Sequence, residues 1–308
     1  MRRKLYTPDL DCLSEFEKYN AKSDELSELF SGDPTLDKLS RTIYDCGDYL
    51  SFVDGSELLD DVDPGSGFVL YSASFCRARL CPSCQWRRSM RIYAQLSDLW
   101  ASLMDQGFVV LHLVLTVANC PADQLTKTIS GLFRSSSKYF RSEPLRCFRG
   151  VIRFLEVTFS ASSGSFHPHL HCLLAVKPSY FHSRQYLSHD RLRELWRDAL
   201  GVDYLPQVNI QRADDDAVRE VSKYCVKPFD FDGLPPDQEL DVYRVLYAAL
   251  HGRRMIQTYG CIASELRRQK VDLDRDDIER DPIHIPIDRQ SVFQYDHKMR
   301  EYTPVDFR

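Results

Sequence analysis

Apolar residues along this chain change their spacing several times, and each change marks an element. Between Cys84 and Gln106, the apolar positions Ile92, Leu96, Leu99 and Leu103 recur at steps of three and four. That is the period of one helix face, so an amphipathic helix is expected, with Arg87, Arg88 and Arg91 in its first turns. From residue 108 onward, strand-like runs rich in Val, Leu and Phe alternate with helical patterns. Strands are expected over 108–117, 151–159, 166–176 and 205–211, and helices over 121–140, 190–200 and 214–226. The small residues of 161–165 predict a tight turn between two of the strands. Ser188 is placed to cap the second helix. Three aspartates at 214–216 suit the positive end of the third, and Pro228 stops it.

The resulting order is β-α-β-β-α-β followed by a helix, the split βαβ or ferredoxin-like arrangement. The fold class expected is therefore α+β, with an antiparallel sheet. Outside this core the rhythm is weaker. Residues 1–45 read as helical and acidic, broken at Ser31-Gly32-Asp33-Pro34, and 54–67 reads as a polar loop. Helices are expected at 235–250 and 261–271, and the charged, Pro-containing tail from Asp272 is expected to be extended or mobile. These divisions suggest four regions. They are an acidic helical N-terminal region (1–45), a cysteine-bearing segment with a basic helix (46–106), the core (107–230) and a helical C-terminal extension with its tail (231–308).

Composition adjusts this picture only locally. With 43% hydrophobic residues in 308, the chain can build a substantial core. No long apolar run free of charge predicts a membrane span, and the basic start MRRKLYTPDL has no apolar stretch behind it. A cytoplasmic protein without membrane partners is expected. The net charge of −5 argues against a polyanion partner until its distribution is considered. Residues 1–70 hold 16 Asp/Glu against 7 Lys/Arg, whereas 71–230 hold 21 Lys/Arg against 14 Asp/Glu. A basic middle between acidic ends fits a local nucleic-acid site.

Ten cysteines in a chain of this length, without a secretion signal, point to a reducing compartment, where thiols serve as packing or as metal ligands. Cys76, Cys81 and Cys84 fall within nine residues, among Arg77, Arg79, Arg87 and Arg88, which is not a core composition. The Cys-Pro-Ser-Cys turn lets two thiolates chelate one ion, and Cys46, before Gly47, is the fourth candidate. Four thiolates make a closed, structural Zn²⁺ site that leaves no position for catalysis. Such a site would pin the basic helix start and help shape a DNA-binding surface. The remaining cysteines are scattered singly and read as packing.

The stretch Phe166-His-Pro-His-Leu-His171 carries the most chemistry. On a strand His167, His169 and His171 share one face, with Leu170 and Cys172 on the other. Two histidines at i and i+2 can hold one cation. The preceding strand supplies Glu156, and a hairpin turning near residue 163 sets it opposite His169 or near His171. A carboxylate in so apolar a strand needs a partner: a His-bound cation, or a salt bridge to Arg153 or another base. Two imidazoles and a carboxylate leave positions open for water and substrate oxygen. Mg²⁺ or Mn²⁺ suits such mixed ligands, and Zn²⁺ also binds them. Further on, Glu220, Tyr224 and Lys227 are spaced to share one helix face, joining an acceptor, a nucleophile and a cation. Alone, that pattern is also an ordinary surface helix.

Taken in order, Leu113-Val-Leu-Thr-Val-Ala-Asn119, His167-Pro-His-Leu-His171 and Glu220-Val-Ser-Lys-Tyr-Cys-Val-Lys227 resemble the three motifs of the rolling-circle plasmid replication initiators, the Rep proteins of the HUH endonuclease superfamily. The segment from Cys76 to Cys84 is similar to that of a plasmid Rep subgroup, and the likeness covers roughly 40–265. The resemblance implies an HUH endonuclease core. Its catalytic metal would sit on His169 and His171, with Glu156 as third ligand and His167 extra to the pair. Tyr224 would nick DNA, Lys227 would be its basic neighbour, and Glu220 would activate water at termination. The implied substrate is single-stranded or hairpin-extruded origin DNA, with a host helicase and polymerase as partners. An HUH relaxase or a single-strand transposase shares much of this pattern. A non-catalytic zinc-containing DNA-binding regulator, or a zinc hydrolase of small substrates, would leave motifs unused.

Overall fold

The computed structural model describes residues 12–57, 67–213, 234–274 and 285–306. It divides into two compact units, one comprising Met1–Arg91 with Asp276–Arg308, the other Ile92–Arg275. The described residues form an α+β protein with seven α-helices and two antiparallel sheets, neither of them closed into a barrel.

In the first unit, helices α1 (Leu13–Phe30) and α2 (Asp37–Tyr44) precede strands β1 (Tyr49–Asp54) and β2 (Phe68–Ala73). Helix α3 (Pro82–Asp105) begins here and continues into the second unit. The second unit contains β3 (Val109–Thr116), α4 (Leu125–Arg141), β4 (Gly150–Ser160), β5 (Ser165–Val176), α5 (His189–Leu200) and β6 (Val208–Arg212). After these come α6 (Pro236–Leu250), β7 (Ile256–Tyr259) and α7 (Gly260–Arg268). Strands β8 (Ser291–Asp296) and β9 (Glu301–Pro304) return to the first unit.

The sheet of the second unit runs β6-β3-β5-β4-β7, every pair antiparallel. Its first four strands have the ferredoxin-like order expected from the sequence, and β7 extends the edge beside β4. Alternation along the strands divides the sheet into two faces. One face carries Leu113, Leu115, Leu155, Leu170, Cys172 and Leu174, each fully buried. Against it lie the buried residues Leu125, Ile129, Leu132 and Tyr139 of α4, and Leu192 and Trp196 of α5. The Trp196 indole donates to the Thr116 carbonyl at 2.8 Å, tying α5 to the end of β3. Ser188 caps α5, its side chain accepting from the Arg191 N–H, and Gly201 ends the helix in the left-handed conformation. At the β7–α7 junction Gly260 has φ +62°, and a Cβ there would lie 2.1 Å from the Arg149 carbonyl oxygen, so only glycine fits.

In the first unit the sheet order is β2-β1-β8-β9. Its core gathers Phe16, Leu50, Phe52, Leu70, Tyr295 and Tyr302. The Tyr302 hydroxyl donates to the Gly47 carbonyl at 2.5 Å, and Asn20 donates to that hydroxyl. The tail expected to be extended or mobile therefore supplies half of a sheet. The two strands of the cysteine-bearing segment were also unforeseen; in β1, Leu50, Ser51, Phe52 and Val53 are all buried and show no alternation. Helix α3 buries Ile92, Leu96, Leu99 and Leu103, as its period predicts. It also buries Arg87 and Arg88, with the Arg87 guanidinium 4.5 Å from the Phe75 ring centre. The basic helix start expected to help shape a DNA-binding surface therefore has Arg87 and Arg88 buried.

Candidate metal centres

The β4–β5 hairpin turns at residues 161–164, with Gly164 in the left-handed region. Its register sets Glu156 directly opposite His169, as the position of the turn requires. Glu156, His169 and His171 therefore project from the sheet face away from α4 and α5. The Glu156 Oε2 lies 2.7 Å from His169 Nε2 and 2.9 Å from His171 Nε2. Glu156 and His171 are buried, at 4% and 5% exposure. Burial by itself would raise the Glu156 pKa, but the hydrogen bonds and charge of His169 and His171 outweigh it and bring the carboxyl to about 2.

The hydrogen bond at the far side of His169 defines what this cluster can hold. His169 Nδ1 is 3.1 Å from the His167 carbonyl oxygen, which can only accept, so Nδ1 carries the proton. In the neutral ring Nε2 then bears a lone pair, aimed at a carboxylate oxygen. Two electron-rich atoms at 2.7 Å need a cation between them, either a proton on the ring or a metal ion. The donor set therefore fits a metal. His112 of β3 extends the arrangement. It is buried, and its Nε2 lies 3.1 Å from His171 Nδ1. With the His171 Nδ1–H donating to it, the His171 Nε2 lone pair is left for a ligand position. Sequence reading missed His112, because only the pairing of β3 with β5 brings it beside His171.

His167 lies on the same face but outside the converging trio. Its Nε2 is buried without a hydrogen-bond partner, and burial lowers its pKa. Arg153, the alternative partner for Glu156, points to the opposite face. It donates to the Gln257 side chain and stacks over Phe133.

The second cluster joins Cys46, Cys76, Cys81 and Cys84. The Sγ separations are 3.4 Å for Cys46–Cys81, 3.5 Å for Cys46–Cys84 and 3.7 Å for Cys76–Cys84. A tetrahedral ion with metal–sulfur bonds of roughly 2.3 Å has edges of about 3.8 Å, close to these spacings. Backbone N–H groups of Cys76, Arg77 and Ala78 point at the Sγ atoms of Cys46, Cys84 and Cys76. Arg77 at φ 60° and Gly47 at φ 83° make the turns that allow this. Hydrogen bonds from the other three cysteines push the Cys84 thiol well down. Hydrogen bonds to its neighbours push Cys46 well up, and burial does the same to Cys81. Four interacting sulfurs of which one favours the thiolate are suited to a cation.

Tyr224, Glu220 and Lys227 lie outside the described residues. Among the described residues no helix is long and apolar enough to cross a membrane.

A core of ferredoxin-like order bearing a two-histidine, one-carboxylate cluster on the sheet face away from α4 and α5 is what the replication-initiator motifs imply. The comparisons with known proteins agree. The Replication protein family matches residues 67–303. Three similar chains are each named Protein rep. That of Streptococcus pneumoniae serotype 2 is 32% identical over 259 residues, 80% of this chain and 76% of its own. That of Lentilactobacillus hilgardii is 31% identical over 284 residues, 86% and 87% of the two chains. That of Lactiplantibacillus plantarum is 35% identical over 237 residues, 72% and 74%. No solved structure matches the chain. The chain belongs to the Replication protein family, that of the plasmid replication initiators its motifs resemble.

Proposed function

We propose that this protein starts rolling-circle replication of a plasmid by nicking one strand of its origin with Tyr224. The observation that carries the reading is the convergence of Glu156, His169 and His171 on one sheet face in a chain of the Replication protein family. We assign Glu156, His169 and His171 as holding Mg²⁺ or Mn²⁺. Bound there, the ion supplies charge stabilisation at a nonbridging oxygen of the scissile phosphate. The Cys46, Cys76, Cys81 and Cys84 site holds Zn²⁺ and is structural, since four thiolates leave no open position.

The Tyr224 hydroxyl, with an ordinary pKa near ~10, must lose its proton to attack. Lys227, three residues on, stabilises the phenolate by charge. The phenolate oxygen forms a bond to phosphorus in line with the leaving 3′ oxygen. The phosphorus–O3′ bond breaks, and the 3′ oxygen takes up a proton. A 5′-phosphotyrosine link and a free 3′-OH result, and a host polymerase extends the latter, with a helicase opening the duplex. After one round Glu220 deprotonates a water, which attacks the phosphorus of the regenerated junction and breaks its bond to O3′. The 3′-OH so freed attacks the phosphorus held by Tyr224; the tyrosine oxygen leaves and regains its proton, and the strand is closed and released. One tyrosine and one acid thus give the nick, one hydrolysis and the closure. Family membership supports replication initiation over a relaxase or transposase role; the substrate we propose is single-stranded or hairpin-extruded origin DNA, met in the cytoplasm.

The test is incubation of the full chain with single-stranded origin DNA and Mn²⁺, beside Tyr224→Phe, followed by denaturing electrophoresis. A covalent adduct in the wild type, absent from the variant, is expected. An adduct that persists in the variant moves the nucleophile to another tyrosine. Intact DNA binding with no adduct from either points to a non-catalytic regulator. Glu220→Gln should form the adduct and fail to release it; normal release would remove Glu220 from the mechanism.

A further inference from the structure

On the sheet face opposite Glu156, helix α4 presents Arg134, Ser137, Lys138 and Arg141 within two turns, one stripe along about 10 Å of helix. This stripe borders a cleft of about 850 Å³ whose lining also includes Phe133, Arg153 and Gln257 and contains no carboxylate. None of its four cations has a carboxylate partner among the described residues. Lys138 donates only to the Asp198 backbone carbonyl, at 3.3 Å. Arg134 and Arg141 are exposed.

Arg153 distinguishes the cleft from an ordinary basic surface. It is only 4% exposed, and burial pulls its pKa down, partly offset by Tyr259 and Cys172. Its Nε and Nη2 both donate to Gln257 Oε1, and its guanidinium stacks 4.1 Å above the Phe133 ring centre. Nη1 is buried with no hydrogen-bond partner. A buried guanidinium without an anion is costly, and a planar fork with a spare donor is suited to an oxyanion. The Ser137 hydroxyl, which donates to the Phe133 carbonyl at 3.0 Å, also lies in the lining. The volume exceeds that of one phosphate group and admits a nucleotide or a length of backbone.

We propose that this cleft is a second anion site, which binds a phosphate group on the helical face of the sheet, apart from the Glu156–His169–His171 cluster. The phosphate comes either from a DNA backbone beyond the nicking point or from a free nucleotide. The DNA source rests on the function proposed above; the nucleotide source does not.

Two binding measurements on the full-length protein separate these sources. The probes are a short labelled origin duplex, followed by fluorescence anisotropy over a range of salt, and ATP, followed by calorimetry. The variant is the exposed pair Arg134→Ala with Arg141→Ala, beside Arg153→Gln. If the phosphate is DNA's, the paired variant should bind the duplex at least about tenfold more weakly. Its salt slope should then fall by about 2, at roughly 0.9 for each phosphate left without its cation. If the phosphate is a nucleotide's, ATP binding should fall at least about tenfold in the paired variant while the duplex slope is unchanged. An unchanged duplex slope together with unaltered or absent ATP binding overturns the proposal. Should Arg153→Gln fail to fold, the exposed pair carries the test alone. A wild type that forms no adduct, beside a paired variant whose salt slope falls, would refute the nicking function and leave the cleft standing.

Discussion

The two metal-ligand clusters are assembled in opposite ways. Cys46, Cys76, Cys81 and Cys84 are gathered by turns, with Gly47 and Arg77 in left-handed conformations and backbone N–H groups aimed at sulfur. Cys46 precedes β1, Cys76 follows β2 and Cys84 lies in the first turn of α3, so the cluster joins the ends of three elements. Glu156, His169 and His171 are instead fixed by the register of two long strands whose other face is packed. There the sheet exists first and the ligands are placed upon it. On the function proposed above, the first cluster, with four sulfurs, would support the chain, and the second, with three ligand atoms, would be supported by it. Loss of metal should therefore cost stability at one site and activity at the other.

The largest effect should come from the cysteines. Cys81→Ser is expected to lose bound Zn²⁺ and about 4 kcal/mol or more of stability, read by metal analysis and thermal unfolding. A strong chelator on the wild type should lower Tm in the same direction. A Tm within a few degrees of wild type in both experiments would end the comparison. Next, Glu156→Gln should reduce the rate of adduct formation by roughly 10³-fold, since a bound ion contributes several kcal/mol to such a step, while it costs less stability than Cys81→Ser. A large loss of stability with unchanged rate would reverse the roles assigned to the two clusters.

A smaller effect is expected at His112, which orients His171 from behind. His112→Gln should weaken Mn²⁺ binding by about 10- to 100-fold, measured by calorimetry, with the cysteine site still loaded. Equal Mn²⁺ affinity would leave His112 a packing residue. The smallest is a pH effect in protein stripped of metal. Glu156 is held at about 2 against an ordinary 4.5. Its contribution is present above pH 4.5 and is lost as pH falls through about 2. Urea unfolding of the stripped wild type should therefore show stability falling over that window more steeply than in Glu156→Gln. Parallel curves would mean that the carboxylate gains nothing from His169 and His171.

The parts of this picture that the sequence revealed are those with short range. The hairpin register follows from period-two alternation and a turn of small residues, and these alone bring Glu156 to His169. The cysteine trio is legible because three ligands fall within nine residues. The hidden parts depend on distant partners. His112 stands alone in a leucine-rich strand, and only the strand order sets it beside His171. Strand β8 is short and flanked by charge, and its partner β1 lies far upstream, with Leu50 paired to Phe293. The burial of Arg87 and Arg88 was hidden because a cluster of arginines reads as surface, whereas Phe75 takes the Arg87 guanidinium against its ring. The position of Arg153 was decidable in principle. Residues 153 and 156 differ by an odd number, so on one strand they cannot share a face.

Strands β8 and β9 have a consequence for how the chain comes to be folded. The residues of the second unit are contiguous, whereas the first unit is sewn from both ends of the described chain: Leu50 pairs with Phe293, and Asn20 bonds to Tyr302. A ribosome delivers residues in order, and domains fold as they emerge. The interior unit can be complete while the other still lacks two of its four strands. The split sheet closes last, across the longest loop in the molecule, where closure entropy makes pairing slow. A chain cut short before residue 291 would carry its cysteine cluster on half a sheet.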